Sequence, residues 1–164
     1  MSFELRRYDE SDWTALIALW VESWTQARPE IDFSARAPWL ADLFASSLAA
    51  GAQVFVAEDD KGLAGFVMFD PARKWLEQIA VAPRAKGGGA ARALLGCAKA
   101  ACPHGFGLDV NADNFRALAF YRREGFVETG AGENPLSGLN KVILHWTSER
   151  GTPLTRSQER SPPR

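Results

Sequence analysis

The chain has 164 residues, 46% of them hydrophobic and 24% charged, with a formal net charge of −1. That is enough for one domain with a core and too little for two, and the near-neutral balance argues against a nucleic-acid partner. No apolar run approaches the ~20 residues of a membrane span, and the first residues lack the apolar stretch of a secretion signal, so a cytoplasmic protein with no membrane partner is expected.

Ser2 to Tyr8 sets Phe3 and Leu5 against Glu4 and Arg6, which predicts a half-buried first strand. Asp9 is placed to cap a helix whose apolar stripe is Trp13, Leu16, Ile17, Trp20, Val21 and Trp24. A second helix is predicted from Pro38, through Leu40, Leu43, Phe44 and Leu48, to a stop at Gly51. The period then changes from helical to alternating. Ala52 to Glu58 and Leu63 to Asp70 read as a hairpin closed by Asp59-Asp60-Lys61-Gly62, and after a turn at Pro71 to Lys74 the stretch Trp75 to Val81 reads as another strand.

A glycine-rich turn, Lys86 to Ala90, leads into a helix at Ala90 to Ala101 with Ala91, Leu94, Leu95 and Ala98 facing inward. Gly107 to Val110 reads as a short strand. A helix beginning at Asn114 follows, with Asn111 or Asp113 as its cap and Gly125 as its stop, then strands at Phe126 to Thr129 and Lys141 to Trp146. This order predicts an α/β fold with one mixed central sheet covered by helices on both faces, over residues 1–147. The polar segment from Ser148 to Arg164 reads as a disordered tail. Cys97 and Cys102 lack metal-site spacing and histidine partners, and His104 and His145 form no motif, so no metal is expected.

The turn from Val81 into the Ala90 helix carries the chemistry. Gly87, Gly88, Gly89, Ala90 and Ala91 leave the main chain open to close approach, and a helix N-terminus adds positive partial charge, so the segment suits a diphosphate. It is not a Walker loop, since no Gly-Lys precedes Ser or Thr, and the dinucleotide fingerprint fails because Arg92 stands where its third glycine belongs. Lys86-x-x-Gly89-x-Ala91 instead resembles the acyl-CoA pyrophosphate loop of the GNAT superfamily of N-acyltransferases, whose pattern is Gln or Arg, two residues, Gly, one residue, Gly or Ala. Lys86 departs from it, keeping the charge but not the planar guanidinium. A second stretch, Asn114 to Phe126, resembles the superfamily's Asn-x-x-Ala-x-x-x-Tyr-x-x-x-Gly-Phe at every defined position.

The resemblance covers residues 2–147 and implies an acetyl-CoA-dependent N-acetyltransferase acting on the primary amine of a small molecule or peptide by direct attack in a ternary complex. The alternative is a non-catalytic acyl-CoA-binding or sensor domain of the same fold. The family pattern implies that the backbone of Ile79 and Val81 meets the pantetheine arm, and that Lys86, Gly87, Gly88, Gly89, Ala90, Ala91 and Arg92 meet the pyrophosphate. It likewise places Asn114 by the pantetheine and Tyr121 near the sulfur. Tyr121 is the expected proton donor to the departing thiolate, a phenol being protonated at neutral pH. For the base, Glu77 alternates with Ile79 and Val81 and is expected on their face, with Asp109 as the other carboxylate and a water route as a third option. The loop after the first helix, with Trp24, Arg28, Glu30 and Asp32, is where the family places its acceptor. A monomer or homodimer is expected.

Overall fold

The computed structural model describes residues 2–135 and 137–148, so all but Ser148 of the expected tail lies outside the described residues. The chain divides after Ala101 into two compact units. The first holds β1 (Glu4–Arg7), α1 (Trp13–Ala27), α2 (Ala37–Ala49), β2 (Gln53–Asp59), β3 (Gly62–Asp70), β4 (Trp75–Val81) and α3 (Ala90–Ala101). Its strands lie in the order β1-β2-β3-β4, antiparallel at each pairing.

Strand β3 is buried from Ala64 to Asp70 because helices cover it on both sides. Gly65 faces α3: a β-carbon there would lie 2.9 Å from Leu94 and 3.3 Å from the Val81 side chain, and Val67, two residues on, shares that face. On the other face Phe66 meets Phe44 of α2 at 5.8 Å between ring centroids, and Gln78, register partner of Met68, accepts a 3.3 Å hydrogen bond from the Trp20 indole of α1. The hairpin, the Pro38 helix start and the bounds of β4 and α3 agree with the sequence reading.

The first strand does not. Leu5 is 41% exposed, while Arg6 turns inward, its guanidinium making two 2.8 Å bonds to the buried Asp12 carboxylate and one of 3.3 Å to Glu58. Asp12 also accepts from the Asp9 amide at 2.9 Å in a capping box, so one buried carboxylate joins the strand to the turn that starts α1. The stripe of α1 also differs: Leu19 is buried with Leu16 and Trp20, while Ile17 and Val21 are only half-buried. In α2, Leu48 is exposed.

The second unit holds β5 (Phe106–Asn111), α4 (Phe115–Arg123), β6 (Val127–Glu133) and β7 (Asn140–Trp146), with strand order β5-β7-β6, antiparallel throughout. Its core is aromatic: Phe106 packs on Phe126 and Trp146 at 5.5 and 5.7 Å, and Phe126 on Tyr121 at 5.3 Å. Strand β6 runs past the expected Thr129 to Glu133. Every residue of it is exposed, so it carries no apolar alternation, and only backbone pairing to β7 defines it. Among the described residues no helix is long and apolar enough to cross a membrane.

The Arg6 guanidinium holds the Asp12 carboxyl below the usual carboxylate range. Because that pKa is depressed on folding, the stabilisation is present above the unfolded value of about 3.9 and is lost as pH falls through the lower folded value. Asp12→Asn is expected to cost about 1–2 kcal/mol in urea unfolding at pH 7, with the gap to wild type closing in acid below pH ~4.

Candidate functional site

The glycine loop lies wholly in the first unit. After β4 the chain makes a short 3-10 turn at Pro83–Ala85, and Arg84 clamps it, with bonds of 2.7 and 3.0 Å to Asp59 and further bonds to the carbonyls of Gly62 and Leu63. Gly87 and Gly89 follow at φ +82° and +91°, a region that penalises any side chain, and a β-carbon at either would meet nothing within 4 Å. Among the described residues the amides of Gly87, Gly89, Ala90 and Ala91 make no backbone hydrogen bond, so four donors stand unpaired where α3 begins, with Gly87 and Gly89 exposed and Ala90 buried beneath them. That arrangement fits an oxyanion such as a diphosphate. Lys86 is half-buried and donates to the Gln26 side chain of α1 at 3.2 Å, and Arg92 lies exposed in the first turn of α3.

Glu77 is not where alternation puts it. The register runs Met68 to Gln78 and then Phe69 to Leu76, so Glu77 is the extra residue of a β-bulge. Ile79 and Val81 share the α3 face, as register partners of Val67 and Gly65, whereas Glu77 lines a 220 Å³ cavity with Ser46 and Ser47 of α2 and Asp70 at the end of β3. One Glu77 oxygen accepts from Arg73 at 2.8 Å; the glutamate side chain is 18% exposed and the arginine 66%. Sequence reasoning passed over Asp70, which is 4% exposed and whose Oδ1 accepts from the amides of Ala72 and Arg73. Its position ahead of Pro71-Ala72-Arg73 was a readable turn signal.

An open groove of about 790 Å³ runs between α1 and α2, lined by Ile17, Val21, Glu22, Gln26 and Ala37 among others. Glu22 of α1 is among its lining residues, whereas the loop carboxylates Glu30 and Asp32 are not. Glu30 lies 3.6 Å from Arg28, and Asp32 accepts the Ala35 amide at 3.2 Å.

In the second unit the cap of α4 is Asn114 itself, not Asn111 or Asp113: its side-chain oxygen accepts from the Ala117 amide at 3.2 Å. Two turns on, the Tyr121 ring packs edge-on against Phe120 and Phe126 at 5.2 and 5.3 Å. Burial pushes its phenol well above the usual value, so it stays protonated at neutral pH. Gly125, at φ +95°, ends the helix as expected. Asp109 is exposed on β5, 3.1 Å from the Lys141 ammonium.

The family model for the Acetyltransferase (GNAT) family matches residues 13–126. The peptidyl-lysine N-acetyltransferase YiaC of Escherichia coli (strain K12) is 34% identical over 145 residues, spanning 87% of this chain and 95% of that protein. Among solved structures, apo YjaB from Escherichia coli aligns with TM-score 0.70 at 25% identity over 89% of this chain and 98% of that one. A GCN5-related N-acetyltransferase from Rhodopseudomonas palustris aligns with TM-score 0.74 at 17% identity over 90% and 97%, a likeness of fold. The expected α/β fold with one mixed central sheet is therefore borne out for this chain by its likeness to these structures.

Two glycines beside the loop are expected to fail differently. Gly89→Ala should cost about 1–2 kcal/mol from its left-handed φ alone, since the new methyl meets open space. Gly65→Ala drives a methyl to 2.7 Å from the Ala80 carbonyl oxygen, which cannot retreat without breaking the sheet, and should cost about 1–3 kcal/mol with a shifted α3. Urea unfolding of both, with crystallography of the Gly65 variant, checks this; an unmoved α3 and an undiminished stability would refute the close-packing account.

Proposed function

The chain belongs to the GNAT family of acetyltransferases and is an acetyl-CoA-dependent N-acetyltransferase, and from that premise we propose that its acceptor is the primary amine of a lysine side chain in a peptide. The observation that carries the reading is the set of unpaired amides at Gly87, Gly89, Ala90 and Ala91, which suits the pyrophosphate of coenzyme A, in a chain matching a peptidyl-lysine acetyltransferase over nearly its whole length. Lys86 and Arg92 add positive charge there, and Gly88 continues the small-residue run. The backbone of Ile79 and Val81 is assigned to the pantetheine arm, and a β4 amide to the oxyanion. Asn114 is assigned to the pantetheine region on the strength of the second family motif.

The proposed reaction is direct attack. The neutral amine adds to the thioester carbonyl carbon, the nitrogen of the tetrahedral intermediate gives its extra proton to solvent, and on collapse the C–S bond breaks and the thiolate takes a proton. Tyr121 supplies that proton; its support is the match of Asn114 to Phe126 to the motif and the burial that keeps the phenol protonated. Glu77 receives the proton that the ammonium gives up. Its support is a half-buried carboxylate on β4, turned by the bulge to the face covered by α1 and α2.

Acetyl-CoA at a hundred times its Kd is expected to stabilise the protein by about 2.7 kcal/mol in thermal unfolding. Tyr121→Phe keeps the ring packing and should lower kcat by about 10²–10⁴-fold with the acetyl-CoA Kd unchanged. Mass spectrometry of lysine peptides incubated with acetyl-CoA tests the acceptor, and modification confined to peptide N-termini would refute the lysine assignment.

A further inference from the structure

We infer that the 220 Å³ cavity beneath the β3–β4 turn seats the ammonium of the acceptor, with Asp70 as the carboxylate that holds it beside Glu77. The inference rests on the lysine-acetylation reading above and adds a binding residue to it. Asp70 is 4% exposed, and its Oδ1 is spent on the amides of Ala72 and Arg73, at 2.9 and 3.2 Å. Oδ2 makes no hydrogen bond among the described residues. Every fully sealed side-chain nitrogen or oxygen among those residues has a partner, so Oδ2 is not sealed, and the space it lines is this cavity. Open to the cavity, Oδ2 is left to water in the free protein, and an entering ammonium would exchange that water for a charge-assisted hydrogen bond.

The remaining lining narrows the cation. Glu77 offers a second carboxylate, and the Ser46 hydroxyl, which donates to the Leu43 carbonyl at 3.2 Å, keeps lone pairs free to accept. An ammonium has three donors, which these acceptors match. A divalent metal ion fits poorly, since no group of three His, Cys, Asp or Glu among the described residues is arranged to hold one. The volume lies below the ~300–1,000 Å³ of drug-sized pockets, suiting the end of one alkylammonium chain. Arg73 already sits on Glu77 at 2.8 Å as an internal cation, and with 66% of its side chain exposed that pair is weak and exchangeable. Arg73 therefore competes with the incoming ammonium.

The two carboxylate neighbours predict opposite effects. Asp70→Asn keeps a carbonyl oxygen for the turn amides but loses the charge, and should raise the KM for a lysine peptide about tenfold, more than kcat falls, with the acetyl-CoA Kd unchanged. Arg73→Met removes the competitor and should lower that KM, an effect that a merely structural role for Asp70 does not produce. In NMR titration of the wild-type protein, n-butylammonium should shift the Ala72 and Arg73 amides, and the shifts should vanish in Asp70→Asn. If the wild type acetylates no lysine peptide, the functional reading fails while the butylammonium titration still reports on the cavity. If it does acetylate them, yet both variants leave KM in place and butylammonium shifts nothing, this inference alone is overturned.

Discussion

The close approach of α3 to the sheet at Gly65 is the constraint on which the rest depends. With a hydrogen where other residues carry a methyl, β3 lets Leu94 come down onto the backbone beside Val81 and Ala80. The helix axis, and with it the first turn where the unpaired amides stand, is thereby set relative to the end of β4. Only a glycine-bearing link can make that turn, since Gly87 and Gly89 both lie in the left-handed region. The row of unpaired amides is therefore a product of packing beneath it rather than of the loop alone.

The bulge in β4 does the complementary work. By inserting one residue opposite β3 it gives the two halves of the strand different duties: Ile79 and Val81 pack toward α3, while Glu77 turns to the helices of the other face. A carboxylate is thus brought to the α1 and α2 side without placing a charge against the apolar contact of α3. Gln78, tied to Trp20, secures the same strand to α1. Backbone packed toward α3 and an acid turned to the other helices come from neighbouring residues of one strand.

Much of this was legible in the residues. The bounds of β4 and α3 and the stop at Gly125 follow from punctuation and period, because proline, glycine and apolar spacing act locally. What was hidden depends on partners distant in sequence. The bulge at Glu77 has no glycine to mark it, so strict alternation placed that side chain on the wrong face. Leu5 and Arg6 exchange their expected roles because Asp12 and Glu58 reward an inward guanidinium. Strand β6 beyond Thr129 shows no pattern since both its faces are exposed, and Asn114 takes the cap that its neighbours could equally have supplied. The glycine loop and the Asn114 to Phe126 motif were readable because their spacing is itself the chemistry; the Asp70 cavity was not, being assembled from the ends of a helix and two strands.

The Arg84 clamp joins two turns that the chain separates. Its guanidinium grips Asp59 and the carbonyls of Gly62 and Leu63, holding the tip of the β2–β3 hairpin against the segment that precedes the glycines. Hairpin tips ordinarily accept extra residues with little penalty, their backbone being solvated. Here an added residue would leave the core intact yet slacken the segment that presents the amides, so exposure alone overstates how much this hairpin tip tolerates.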